Sequence, residues 1–251
     1  MDLTTQGYAD ILDVLLKHGF TAYTLSDYLS NDQLTTRFVL LRHDADFDAR
    51  KALPLAALEA ERGLRATYYF RGPHHRRSFN LEIMKQIAAL GHEIGYHYET
   101  LDSCAGNFED AIRLFEAQLQ TFRDAGLNIN TVSAHGNPRV KKNNYKTNED
   151  IIHHDLMLCS RNKLLGDAGY PKASSDLMYI SDVGVRFRGI GTARHLREML
   201  SKDSLKRLYL LTHPDYWSRT QTRAITIWMA AKFLRTTRGN KIIAHARAIM
   251  R

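Results

Sequence analysis

The chain has 251 residues, of which 44% are hydrophobic and 10% aromatic, a balance that excludes a disordered or fibrous protein and allows one large α/β domain or two small ones. Its two cysteines, Cys104 and Cys159, fall in no CxxC or Cys/His spacing, which excludes a disulfide framework and a thiolate zinc site and fits a reducing compartment. The net charge of +8 belongs to the tail, because residues 219–251 carry eight Lys/Arg and no acid and leave residues 1–218 formally neutral.

Residues 1–20 lack a basic n-region and carry Asp2, Asp10 and Asp13 through their apolar part, so they do not read as a secretory signal. No apolar run approaches the roughly 18 to 20 residues that span a bilayer, and cytoplasmic residence is expected. The spacing of Tyr8, Ile11, Leu12, Leu15 and Leu16 predicts a helix over 6–18 ended near Gly19. A polar loop around Ser30-Asn31-Asp32 precedes a strand, RFVLLRH, and a helix over 48–62 with Pro54 in its first turns. Strand 66–70, helix 80–90, strand 92–97, helix 108–125 and strand 129–134 follow. Residues 135–176 read mostly as loop. Strands at 177–181, 184–188 and 207–212, a helix near 193–202 and a helical tail over 221–235 complete the chain. Alternating strands and helices predict a parallel sheet with right-handed crossovers, in one domain: a lead-in (1–36), a core (37–217) and a basic tail (218–251).

Four polar clusters stand at the carboxyl ends of these strands, where parallel α/β folds collect their reactive groups. They are His43-Asp44-Ala45-Asp46, His97-Tyr98-Glu99, His135-Gly136-Asn137-Pro138 and His213-Pro214-Asp215. Any one of these histidines alone reads as a structural hydrogen-bonder; four together read as a metal site with a general base and acid. Strand geometry puts Asp44 and Asp46 on one face and His43 on the other, in the core or an outer shell. Tyr68, Tyr69, Tyr96, Tyr98 and Trp217 either stack on a sugar face or fill the core.

The series LRHDAD, ATYYFR, GHEIGYHYE, SAHGNP and LLTHPDYW, over roughly residues 37–217, resembles the polysaccharide deacetylase superfamily (carbohydrate esterase family 4, NodB-like), in its branch with an "RHDVD" opening. The resemblance implies a distorted (β/α) barrel of about seven strands and metal-dependent removal of an N- or O-acetyl group from a sugar. It implies Asp44 as general base, Asp46 and His97 as metal ligands and His213 as the catalytic histidine. Leu101 stands where the family has a second histidine ligand, four residues after His97. Two ligands hold a divalent ion weakly, since catalytic zinc has three plus water. His135 is the first choice for the third and Glu99 the second. Asp182 is assigned to orienting His213 or binding substrate, and Asn137 and Arg71 to polar substrate contacts.

The expected cofactor is a divalent metal, most readily zinc. The expected substrate is a carbohydrate, as a nucleotide-sugar or lipid-linked glycan precursor of surface polysaccharide. The alternative is a metal-free binding or scaffold protein on a degenerate barrel, which Leu101 motivates. The tail either packs on the barrel or turns its basic face to an anionic membrane or a phosphate-bearing substrate; no nucleic-acid motif is present.

Overall fold

The computed structural model describes residues 3–137, 140–169, 177–183, 193–201 and 205–220, with the single positions 222, 223, 225, 226 and 229. Helix α1 (Thr5–Lys17) starts where the Thr4 hydroxyl accepts from Gly7 N, and it buries Tyr8, Ile11, Leu12 and Leu15 along one face. Strand β1 (Thr21–Tyr23) and helix α2 (Leu25–Ser30) then occupy a stretch to which the sequence reading assigns no element, ahead of the polar loop at Asn31-Asp32. Elements this short show no periodicity, although Thr24 and Asp27 form a reciprocal capping box that a motif search finds.

Strand β2 (Phe38–Ala45) is buried along its whole length, Arg42, His43 and Asp44 included. A short 3₁₀ turn and helix α3 (Leu53–Ala60), with Pro54 in its first turn, lead to β3 (Thr67–Arg71). The rhythm continues with α4 (Leu81–Ala89), β4 (Glu93–Tyr98), α5 (Thr100–Ser103), α6 (Phe108–Asp124) and β5 (Thr131–Ala134). Helices α7 (Asp150–His154) and α8 (Leu158–Arg161) and strand β6 (Gly166–Asp167) structure part of the stretch expected to be loop. They are two to five residues long, too short for a periodic signal. Strand β7 (Met178–Ser181), helix α9 (Ala193–Leu200) and strand β8 (Arg207–Thr212) close the described chain. The expected strand 184–188 and most of the expected tail helix lie outside the described residues. No described helix is long and apolar enough to cross a membrane.

Every ladder is parallel, in the order β6-β5-β4-β3-β2-β8-β7, with β1 against the first half of β2 and β3 against the second. The sheet is curled into a barrel. Adjacent strands lie about 4.8 Å apart, so β2 and β5, with two strands between them, would sit about 14 Å apart in a flat sheet. Yet the Arg42 guanidinium of β2 hydrogen-bonds Ser133 of β5, and Tyr209 of β8 donates to the carbonyl of Ala168, just past β6, at 2.9 Å. The edge strands β6 and β7 share no ladder among the described residues, and the Tyr209–Ala168 bond links β8 to the end of β6 across that gap. This is the distorted (β/α) barrel expected, seven strands in the path and one short strand beside them.

Gly95 explains one letter of GHEIGYH. A Cβ there would lie 2.3 Å from the Tyr69 ring and 3.1 Å from the Thr131 carbonyl. The ring is held in place by the Tyr69 hydroxyl on Thr131 Oγ1 at 2.7 Å. Gly95→Ala is expected to cost about 1–3 kcal/mol through overpacking, read as a lower urea midpoint at unchanged m-value.

Candidate metal and hydrolytic site

Strand β2 supplies three side chains of one parity to the barrel mouth: Arg42, Asp44 and, one residue past its end, Asp46. Arg42 grips Asp44 with two parallel bonds, Nε to Oδ1 and Nη2 to Oδ2, each 2.8 Å, while its Nη1 reaches the Tyr209 hydroxyl at 3.1 Å. Burial alone would raise the Asp44 pKa; the Arg42 charge and its hydrogen bonds, joined by His97 and His213, together outweigh it and hold the carboxyl well below the usual range. Asp44 is therefore ionised, and the two bonds leave lone pairs on its oxygens for the site.

Asp46 Oδ1 has no hydrogen-bond partner although it is buried. It stands 3.3 Å from His97 Nε2 and 3.8 Å from His135 Nε2, and Oδ2 stands 4.0 Å from His213 Nε2. Burial opposes its ionisation, but the facing histidines, His97 first, pull its pKa below the ordinary value. Asp46, His97 and His135 offer one ligand atom each within 4.8 Å of one another. Asp46 and His135 remain 11% exposed, so the cluster opens to solvent on one side.

The outer contacts decide which ring nitrogens face inward. His97 Nδ1 donates to the Ser133 carbonyl at 2.9 Å, and His135 Nδ1 donates to Glu99 Oε2 at 2.9 Å. With both Nδ1 protons so engaged, Nε2 of each ring faces the unsatisfied carboxylate oxygen, and in a neutral ring that atom is a free lone pair. Lone pairs meeting an anion repel unless a cation lies between them, and imidazoles anchored through Nδ1 by carbonyl or carboxylate are the usual arrangement of metal ligands. The donor set, two imidazoles and one carboxylate with an open side, suits a catalytic divalent ion.

Glu99 lies behind this cluster. Its carboxylate binds Arg71, His75 and His74, the last at 3.2 Å, besides His135. Burial would raise its pKa, but His135, His75 and Arg71 drive it far below the carboxylate range. It acts through His135, and so the reading of Glu99 as third ligand gives way to His135. Arg71, expected to touch substrate, is 7% exposed and is occupied by Glu99. His74, His75 and Glu99 also lie close enough to share an ion. The Gln118 amide donates to His74 Nδ1 at 3.2 Å, however, which puts the proton on the Nε2 facing Glu99, and the Arg71 guanidinium already neutralises that carboxylate.

His213 enters from the end of β8. Its Nδ1 donates to Asp182 Oδ1 at 2.6 Å, and Asp182 also accepts from His213 N and from Trp217 Nε1 at 3.0 Å. Asp182 thus orients His213, the first of its two assigned roles. Burial lowers the His213 pKa, but Asp182 and, farther away, Asp46 and Asp44 outweigh it and raise the value to about 9. His43, on the opposite face, sits in the core on Glu59. Asn137 is half-buried past the end of β5. Leu101 of α5 is wholly buried in the hydrophobic core, so that position supplies no ligand. Tyr68, Tyr69, Tyr96, Tyr98 and Trp217 are 0–2% exposed; they pack the core and offer no face to a sugar.

Arg42 is the functional residue missed in the sequence. Its signal was parity, since a charged residue two before Asp44 in a run of apolar strand residues points to the same face.

The fold and site together define a parallel (β/α) barrel with a buried aspartate–histidine cluster at its carboxyl mouth. No family model matches the chain, and no curated protein matches its sequence. Among solved structures it is similar to a family 4 carbohydrate esterase from Bacillus anthracis, at 15% identity over 89% of this chain and 84% of that one, with a TM-score of 0.42. It is also similar to a mutant of a pseudoenzyme of that family with restored enzymatic activity, at 15% identity over 79% of this chain and 67% of the other, with a TM-score of 0.37.

Proposed function

We propose that the protein is a metal-dependent hydrolase that removes an acetyl group from a sugar or sugar precursor. The observation that carries the reading is the convergence of two Nδ1-anchored imidazoles, His97 and His135, on the unsatisfied Asp46 Oδ1. The resemblance of the sequence motifs supports the substrate class, and a cytoplasmic setting and a role in surface glycan synthesis are part of the same proposal. Asp46, His97 and His135 would hold the ion, with zinc the metal that best suits the donor set. A divalent ion there supplies Lewis-acid polarisation of the acyl carbonyl and acidifies water.

The rest falls to the chain. Asp44 takes the proton of the attacking water. Its depressed pKa makes it a weak base, and Arg42 keeps it ionised and fixes its angle. His213, charged below about pH 9 and held by Asp182, gives its Nε2 proton to the departing amine or alcohol. Glu99 fixes the His135 ring through Nδ1.

Elemental analysis of protein purified without chelators, together with acetate release from N-acetylated sugars, tests the reading. About one equivalent of divalent metal and metal-dependent acetate release are expected; no metal and no affinity for added zinc overturn it.

The acid role sets a pH limb. The imidazolium is present below the His213 pKa, so the rate falls as pH rises through it, and a dication in the cluster pulls that limb below about 9. Asp182→Asn removes the main charge that raises the pKa and is expected to move the alkaline limb by at least about one unit toward neutrality. An unmoved limb assigns the proton to another group.

A further inference from the structure

A recess is lined in part by residues that follow β2 and β8, the strands that lead into Asp46 and His213. It has a volume of about 440 Å³ and lies between the loop after β2 and the loop after β8, with Pro54, Leu55 and Trp217 as its apolar part. Four cations line it, Arg50, Lys51, Arg219 and Arg223, and among the described residues no carboxylate does. Arg50 is held by Asp48 through Nε and Nη2 at 2.9 and 2.8 Å. Among the described residues no acid pairs with Lys51, Arg219 or Arg223. Like charges gathered in one recess repel one another and focus a positive potential there, an arrangement that an anionic ligand relieves.

The recess shares its two loops with the reacting groups. Arg50 follows Asp46 by four residues and Arg219 follows His213 by six, while Trp217, at the recess, donates to the Asp182 that orients His213. We propose that this recess binds the phosphoryl group of the substrate, so that the acyl sugar is a soluble sugar phosphate or nucleotide sugar and not a neutral polymer. This rests on the hydrolase reading only in making the anion part of the acyl-bearing molecule. Two guanidinium forks and an ammonium match a tetrahedral, multiply charged oxyanion, whereas a carboxylate satisfies one fork. The volume lies within the roughly 300–1,000 Å³ range of small-ligand pockets.

The test uses the full chain and exposed positions outside the hydrolytic machinery. Titration calorimetry with pyrophosphate is expected to show binding that weakens with added salt and falls about tenfold or more in Arg219→Ala/Arg223→Ala, since two charge-assisted contacts are removed. In the same double variant, KM for acetyl release from N-acetylglucosamine 1-phosphate is expected to rise, with kcat and the rate on N-acetylglucosamine unchanged. Absence of pyrophosphate binding, or equal binding by the double variant, overturns the proposal. Retention on phosphatidylglycerol vesicles without affinity for pyrophosphate also overturns it, in favour of a lipid surface. Pyrophosphate binding that the double variant loses, with no acetyl release from any sugar, supports the recess and removes the hydrolase reading.

Discussion

Asp44→Asn is expected to keep its metal and to lose on the order of 10²–10⁴ in acetate release, whereas Asp46→Ala and His97→Ala each lose the metal itself. Asp44 is spoken for by Arg42 through both oxygens, so an amide in its place disturbs the base and leaves the three converging ligand atoms where they are. Asp46 has no such partner, and its Oδ1 has only the two imidazoles before it. The outer residue is graded accordingly. Glu99→Gln is expected to weaken metal binding by about 10–100-fold, because it loosens the ring of His135 without removing a ligand, and His135→Ala by more. Competition with a chromogenic chelator measures all five variants. If Asp44→Asn loses the metal and Asp46→Ala keeps it, the two aspartates have exchanged roles; if His135→Ala binds as tightly as the native chain, His135 is no ligand.

Glu59→Ala is expected to be the most destabilising single change, by about 3–5 kcal/mol, because it strips the only carboxylate from a sealed polar cluster. Glu59 of α3 is wholly buried. It accepts from Tyr8 of α1, from the Tyr68 hydroxyl of β3 at 2.6 Å and from His43 Nε2 of β2 at 2.7 Å, and His43 Nδ1 meets Thr212 Oγ1 of β8 at 2.6 Å. His92 lies beside the cluster and adds no charge to it: its Nδ1 accepts from Ala66 N and its Nε2 donates to the Ala56 carbonyl, so it stays neutral, and burial lowers its pKa. Against the cost of burial, the contacts with His43 and the Tyr68 hydroxyl bring the Glu59 pKa below its ordinary value. Removal of the carboxylate leaves two tyrosine hydroxyls and an imidazole without an acceptor in an interior that water does not reach. Glu59→Gln keeps the shape and one acceptor and is expected to cost about 1–3 kcal/mol. Urea unfolding measures both, and a Glu59→Ala loss within about 0.5 kcal/mol of zero would show that the cluster is not what ties α1 and α3 to the barrel.

Much of the site was legible from strand ends alone. Asp44 and Asp46 share a face because strand side chains alternate, and His97, His135 and His213 end strands that a parallel sheet brings to one mouth. The aromatics were ambiguous for the same reason. Alternation places Tyr68 and Tyr69 on opposite faces, yet in a barrel with helices outside, both faces are interior, and both rings are buried. The short elements between residues 20 and 32 and between 150 and 167 carried no period to read.

The sequence by itself determined the alternation of the longer strands and helices, the parallel sheet and the four polar clusters at its carboxyl edge, because these follow from local periodicity and from the short reach of each connection. The tertiary structure alone decided how the clusters divide their work. Glu99 stands behind His135 and Glu59 gathers tyrosines from two elements, across separations of up to 51 residues that no local pattern records. Burial is the physical reason. A carboxylate cut off from water must find its cation or its donors wherever the curled sheet brings them, and which ones it finds depends on closure of the barrel, to which strands far apart in the chain all contribute.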